Sequence, residues 1–380
     1  MSGIVDNYTG YLVGKDITYL SEKDNFELIQ NVLNYNDVHQ ADVDLLKNAC
    51  IYGKSAEIMW IDEDKQVRFK PLEPTEVIDV YDDTLERKLL FAIRFYAEDF
   101  IDEANEKYIV EVYSKTSIKF YRSTAGFSSF EFIREEPHYF GQVPITFLQL
   151  NNEENSIFDN VITLQDAFNT LLSSSIDDWE AFCDAFLVLT GGVMDEETLR
   201  IMKENRVILL DDADQKAEYL TKNTNDTQIQ NLMKGINDRI HFISASPDFN
   251  DERFVSATGI AMKYKLIGFE NKAGEIESRM RKALQRRIEL ICYILHLTGE
   301  EIIWRDVSIQ FTRNLPINET EIAGQVNQLR GLVSDETLIA QLPFITDVDG
   351  ELNKVRAEKE ENMAMYNFNA INNEEDEEDE

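Results

Sequence analysis

Positive charge is scarce in this chain. Lys and Arg number 37 against 72 Asp and Glu, a formal net charge of −35 over 380 residues. Binding DNA by phosphate neutralisation needs clustered Lys and Arg, so the balance argues against a tight DNA binder. It fits a soluble, self-repelling surface, or one that must not adhere to polyanions. Cysteine is nearly missing too. Cys50, Cys183 and Cys292 lie far apart in apolar settings ("KNAC", "EAFCDAF", "ELICYIL"), which reads as buried free thiols in a reducing compartment. No apolar run approaches the ~20 residues of a membrane span, so no membrane partner is expected. The start "MSGIVDNYTG" has neither a basic n-region nor an apolar h-region, and the chain is expected to be intracellular when made. The four histidines, His39, His138, His241 and His296, form no two-His helical pair, so neither a metal site nor another cofactor is expected.

What is present is a 43% hydrophobic chain, long enough for two or three modules with a sizeable core. Residues 1–36 mix short apolar pieces with polar ones and read as a segment that docks on something else. Leu45, Leu46, Ala49 and Cys50 then fall at helical spacing, and Gly53 can end that helix. From there to about residue 150 the texture is short runs rich in Val, Ile, Phe and Tyr, such as "EVIDVYDD" and "KYIVEVYSK", separated by polar turns. This predicts an antiparallel sheet within an α+β domain.

Strand signals then vanish. "TLQDAFNTLLSSSIDDWEAFCDAFLVLTGG", 163–192, carries Leu164, Phe168, Leu171, Ile176, Trp179, Phe182 and Phe186 on one stripe, which predicts a single long helix closed by Gly191–Gly192. Residues 194–222 read as a small helix–strand–strand unit. A second amphipathic helix over 225–247 carries Ile229, Leu232, Met233, Ile236, Ile240 and Ile243, and Pro247 fixes its end. The polar loop "DFNDERFVSAT", 248–258, leads into 259–299, which reads as one helix of about 37 residues, roughly 55 Å long. Ile276, Met280, Leu284, Ile288, Ile291 and Leu295 form its stripe, and Gly268 and Gly274 are candidate kink points. Residues 301–316 return to strand, 318–367 read as two or three short helices, and "NNEEDEEDE" reads as a disordered acidic tail.

Motifs for catalysis fail on inspection. "GYLVGKD", 10–16, has only three residues between its glycines and an Asp after the Lys, where a phosphate loop needs four and a Ser or Thr. "RVILLDD", 206–212, resembles a Walker B strand but has no Walker A to serve. "DVDGE", 347–351, fails as a calcium loop, because its first and twelfth positions would be Ile345 and Arg356. No nucleophile elbow, Cys–His signature or dinucleotide loop is present. A non-enzymatic role is the expectation.

The order of modules, together with "SATGIAMKYKL" at 256–266, "YLVGKDITY" at 11–19 and "VITLQDAFNTLLSSSIDDWEAFCDAFLVLTG" at 161–191, resembles the portal proteins of tailed double-stranded-DNA bacteriophages. The likeness is to the large portal family of long-tailed phages of Gram-positive hosts. It implies an α+β portal fold with wing, stem, clip and crown regions and long helices around a central channel. Mapped onto this chain, 1–160 is wing, 161–192 and 225–247 are stem helices, and 193–224 is the clip. The tunnel loop is 248–258, the long kinked helix and a wing strand occupy 259–318, the crown helices occupy 319–366, and 367–380 is the tail.

The resemblance further implies a homo-oligomeric ring, usually of twelve subunits, at one capsid vertex of the virion, assembled in the host cytoplasm. Its implied partners are terminase, the head–tail connector, the major capsid and scaffolding proteins, and double-stranded DNA held weakly and without sequence preference. Candidate channel residues are Asn250, Asp251, Glu252, Arg253, Phe254 and Val255 in the tunnel loop and Lys234 and Arg239 on the stem. Candidate terminase contacts are Lys203, Glu204, Arg206, Asp211 and Asp212, and Gly259, Gly268 and Gly274 are candidate hinges. The tip pair has another reading, in which Phe254 packs on a neighbouring subunit and Arg253 pairs with an acid. Two other functions stay open: a Mg²⁺-dependent packaging ATPase or nuclease using Asp211 and Asp212, and an acidic DNA mimic that occupies other proteins' DNA sites.

Overall fold

The computed structural model describes residues 1–183, 187–190, 195–205, 216–219, 226–249 and 259–314, apart from 24, 99–106, 124–126 and 301, and parts of 324–358. By contact the chain divides into Met1–Asn314 and Leu315–Glu380.

The first unit begins with helix α1 (Ser2–Val13), strand β1 (Thr18–Leu20) and helices α2 (Phe26–Tyr35) and α3 (Val38–Tyr52). Residues 1–36 were expected to dock elsewhere, and they instead pack within this chain. Ile4, Val5, Tyr8 and Leu12 recur at helical spacing and are buried, and α1 lies against α3. α3 ends as expected at Gly53, whose φ of +81° only glycine adopts freely. A Cβ there would stand 1.8 Å from the Glu154 carbonyl oxygen, so the helix cap also lets two backbones meet.

Two antiparallel sheets follow. β2 (Lys54–Ile61), β3 (Val67–Leu72) and β9 (Ile145–Gln149) form one in the order β3-β2-β9. β4 (Val77–Tyr81), β5 (Leu89–Ala97), β6 (Tyr108–Tyr113), β7 (Ser117–Ser123) and β8 (Phe130–Pro137) form a five-stranded meander. The register sets Ile58 opposite both Lys70 and Ile145, and Ile93 opposite Val112. Ala56, Leu72, Val77, Ala92, Tyr113, Val143 and Ile145 pack between the sheets, while β8 is exposed along its whole length. The mixture of helix and antiparallel sheet is the α+β class expected.

Helix α4 (Ile162–Cys183) leaves this body, strand β10 (Leu187–Thr190) follows it, and α5 (Glu196–Asn205), β11 (Lys216–Tyr219) and α6 (Asp226–Ser244) complete the excursion. Here the structure corrects the sequence reading of one helix over 161–192. The helix is described as far as Cys183, and "LVLT" is a strand paired antiparallel with β11, Leu187 opposite Tyr219. Its apolar and β-branched residues take the edge of a partner about thirty positions away, which helical periodicity does not reveal. α6 likewise ends before the expected 247. Ser244 closes it, and Ala245 turns left-handed at φ 55° ahead of Pro247. The expected strand at 206–212 lies outside the described residues.

The long helix, α7 (Gly259–Leu297), has 39 residues, about 58 Å at 1.5 Å each. It runs as one assigned helix through Gly268 and Gly274. Leu266, Phe269, Ala273, Ile276, Met280, Leu284, Ile288 and Ile291 are buried along it, which includes all of the expected stripe except Leu295. Phe269 sits between the rings of Tyr8 and Tyr11, with centroids 4.6 and 4.7 Å away, and so fastens α7 to α1. Among the described residues, 302–314, of the expected strand over 301–316, only β12 (Ser308–Gln310) is strand, and it pairs with β1, Tyr19 opposite Ile309.

Gly141 (φ +63°) marks another close approach, since a Cβ there would meet the Tyr293 ring of α7 at 2.3 Å. Gly141→Ala is expected to cost ~1–3 kcal/mol through backbone strain and overpacking, read as a lower urea midpoint at unchanged m-value.

In the second unit Ser334 caps a short helix, Asp335–Ile339, by accepting the Thr337 N–H at 3.3 Å, and 350–358 is mainly helical. The tail at 367–380 lies outside the described residues.

Candidate assembly face and the base of the tunnel segment

α4 and α6 pack on each other. Leu164, Phe168, Leu171 and Ser175 on α4, and Ile229, Met233 and Ile236 on α6, are partly covered, and Ile240 is buried, all spaced three and four apart. That is the spacing of two facing helical stripes. The antiparallel β10–β11 ribbon joins the end of α4 to the start of α6, so the pair forms a hairpin.

The hairpin does not supply enough cover for itself. No residue from 162 to 180 is buried. Leu172, Ile176 and Trp179 form a second apolar stripe on α4, about 100° round the helix from the first. Ile176 is 51% exposed and Trp179 72%. On α6, Leu232, Phe242 and Ile243 are exposed too, Phe242 at 76%. Isolated exposed apolar residues are ordinary, but an apolar outer stripe on α4 beside exposed Leu232, Phe242 and Ile243 on its partner helix indicates a surface meant to be covered. α4 also carries Asp166, Asp177, Asp178 and Glu180 and no Lys or Arg.

The end of α6 is tied down. The Tyr8 hydroxyl donates to the Ser244 carbonyl at 3.0 Å, and the Asn7 amide donates to Ser246 Oγ at 2.9 Å. Asn237 donates to Asp248 at 3.0 Å, and His241 Nδ1 lies 2.9 Å from the Ser246 carbonyl. Burial pushes the Tyr8 hydroxyl well above the usual phenol range, which keeps it a donor. The segment from 250 to 258 therefore starts from a base fixed on α1.

The predicted site residues fall unevenly on this frame. Lys234 and Arg239 are both exposed on α6, yet five positions put them about 140° apart around its axis. Glu204 is exposed on α5 and 3.8 Å from Arg200, and Lys203 neighbours it on the same helix. Arg206, Asp211, Asp212 and Asn250, Asp251, Glu252, Arg253, Phe254 and Val255 lie outside the described residues. Gly259 is the first residue of α7, and Gly268 and Gly274 lie within it. Among the described residues no group of His, Cys, Asp and Glu is arranged to hold a metal ion, and no helix is long and apolar enough to cross a membrane.

A cluster that sequence reading missed is centred on α7. Arg287 of α7 is 0% exposed. It donates to Glu57 at 2.8 and 2.6 Å, to Asp42 at 2.5 Å and to the Tyr19 hydroxyl at 3.3 Å, and lies over the Phe69 ring. It joins the long helix to α3, β2 and β1. The available signal was an Arg in register with the buried stripe, between Leu284 and Ile291.

Comparison with known proteins fits this architecture. Residues 2–365 match the family model described as phage portal protein, SPP1 Gp6-like. The chain belongs to that family of phage portal proteins. It is 26% identical to the portal protein of Bacillus phage SPP1 over 387 aligned positions, covering 95% of this chain and 75% of the relative. It is 22% identical to the portal protein of Clostridium phage phiCD119, covering 97% of this chain and 86% of the relative. A portal protein is a component of the phage virion, and its role is structural, with capsid and packaging components as its general class of partner.

Proposed function

We propose that copies of this portal protein close into a ring, of twelve subunits, around a channel that passes double-stranded DNA into and out of the capsid at one vertex. The carrying observation is the α4–α6 hairpin, whose helix α4 has no buried residue from 162 to 180 and bears a second apolar stripe. A closed ring gives every copy a neighbour on both sides and leaves no stripe uncovered. In this reading the two sheets with the body of α7 form the wing, α4 and α6 the stem, the segment between them the clip, and the second unit the crown.

The acids of α4 suit a wall past which DNA slides. Repelling phosphate keeps residence short, the reverse of binding by counterion release. Arg239 shares a side of α6 with Leu232 and Phe242, so the neighbour that covers those residues covers it too. Lys234 is left as the better channel-facing cation, and with Arg253 it supplies weak, sequence-blind backbone contacts. The clip, with Glu204 and its neighbours, meets terminase during packaging and the head–tail connector afterwards, and assembly with scaffolding and major capsid proteins takes place in the host cytoplasm.

Negative-stain images of the purified protein are expected to show closed rings whose symmetry can be counted. A clean monomer at high concentration, in the presence of scaffolding protein, overturns the reading. Deleting residues 250–256 is expected to leave the ring intact and impair packaging or retention of DNA, because the end of α6 before the segment is held independently by Tyr8 and Asn7. Normal infectious yield from that deletion refutes a channel role for the segment.

A further inference from the structure

A concentration of positive charge lies away from the hairpin, in a cleft between α7, β9 and the β4–β5 side of the meander. Its volume is about 920 Å³. Six of its lining side chains are basic, Arg87, Lys88, Lys115, Arg279, Lys282 and Arg286, against two acids, Glu86 and Glu289. This occurs in a chain with a net charge of −35. Chance placement on so acidic a surface would give the opposite balance.

Three of the six bases have carboxylate neighbours. Lys88 pairs with Glu86 at 2.5 Å, Arg286 with Glu289 at 2.9 Å, and Arg279 stands 3.7 Å from Glu275. Arg87 lies over the Tyr81 ring. Arg87, Lys115 and Lys282 make no ion pair among the described residues, and all three are exposed. Between the two banks of bases the lining is mixed, with partly exposed Leu89, Phe147 and Trp304 beside Gln142, Gln149 and Gln285. Leu89 and Phe147 come from the strands and supply the apolar part of the floor, over buried Ile145 and Ala283.

We propose that this cleft docks an acidic peptide segment of a partner protein, one that carries a large apolar side chain among its Asp and Glu residues. The bases from the β4–β5 turn and from α7 match carboxylates on both sides of such a segment, and the apolar floor takes the anchor. The volume sits at the upper end of the range for ligand pockets, enough for a few side chains and too little for a folded domain. A DNA duplex is a poor match. It is stiff over about 150 base pairs, and its phosphates gain nothing from an apolar floor. The proposal stands apart from the ring reading, since none of these residues lies on α4 or α6.

The test is fluorescence anisotropy on the full chain. The probe is a short fluorescein-labelled peptide of Glu residues around a central Phe-Leu pair. Saturable binding is expected, weakened by added salt. Combining Arg87→Glu, Lys115→Glu and Lys282→Glu is expected to weaken it by roughly ten- to a hundredfold, with a cooperative thermal transition retained, because all three side chains are exposed and only the Arg87 contact with Tyr81 is lost. Lys282→Ala, which removes one charge and adds none, is expected to weaken binding by about two- to fivefold. A peptide with Lys in place of every Glu is expected not to bind. Equal binding to the wild type and the triple variant overturns the proposal. So does equal binding of the all-Lys peptide, of an all-Glu peptide without the Phe-Leu pair, or displacement of the probe by an equimolar DNA duplex.

Discussion

Replacing Ile176 and Trp179 together by Asp is expected to leave each chain folded and to abolish assembly. Neither side chain is buried in the single chain, and Trp179 is 72% exposed. The fold therefore loses little when they go, within the ±0.5 kcal/mol typical of a surface change. An assembled interface loses far more. Burying a large apolar side chain is worth ~1.5–3 kcal/mol, and a ring repeats the loss at every subunit boundary. The two new carboxylates must also be desolvated against a helix that already carries Asp177, Asp178 and Glu180. Light scattering during gel filtration is the measurement: a ring mass for the wild type, a monomer mass for the variant, and thermal transitions of the single chain that overlay. A variant that keeps the wild-type mass shows that this stripe is not the covered face. A change at Phe242, on the outer side of α6, then becomes the next place to look.

The elements legible in the sequence are those whose partners are implied by their own periodicity. The α7 stripe from Ile276 to Ile291 repeats every three or four residues, and the structure buries it. The β-rich texture from Gly53 to about residue 150 became two antiparallel sheets, because short alternating runs separated by polar turns have few other ways to pair. What was hidden depends on distant partners. Leu187–Thr190 continues the apolar pattern of α4, and only β11 makes it a strand. Ile4, Val5, Tyr8 and Leu12 were read only as short apolar pieces that dock on something else, and their packing on α3, and through Phe269 on α7, was not visible. The outer stripe of α4 was half legible. Ile176 and Trp179 were counted on a single stripe, and only the covered positions at 164, 168, 171 and 175 separate the face that meets α6 from the face left bare. The basic cleft could not be read at all, since Arg87 and Lys115 meet Lys282 and Arg286 only after the sheets fold onto α7.

Arg287→Met is expected to be the most damaging single substitution within the body. The guanidinium is fully buried, and its removal leaves the Asp42 and Glu57 carboxylates without their cation in a site walled by Phe69. Breaking a buried pair from one side costs ~3–5 kcal/mol, a large share of the ~5–15 kcal/mol that holds a typical domain. Asp42→Asn is expected to be far milder. Burial raises the Asp42 pKa above the ordinary carboxylate range, against the pull of Arg287, so the fold already carries a cost for that charge. Burial also opposes the Arg287 charge, but Asp42, Glu57 and Tyr19 more than offset it, and the guanidinium stays protonated. The sign of the pH dependence follows from the raised value. The folded chain takes up the Asp42 proton at a higher pH than the unfolded chain does. Its contribution to stability is thus complete below the unfolded pKa and is lost as pH rises through the folded one, so mild acid does not open the cluster through this group. Asn at 42 keeps an acceptor for the guanidinium and removes the charge that burial penalises, at a cost of ~1 kcal/mol. Urea denaturation near neutral pH ranks the two variants. Adding Asp42→Asn and Glu57→Gln to Arg287→Met is expected to recover part of the lost stability, because no bare carboxylate then remains buried. If Arg287→Met and Asp42→Asn shift the midpoint equally, the cluster acts as a set of interchangeable hydrogen bonds, and the charge argument is wrong.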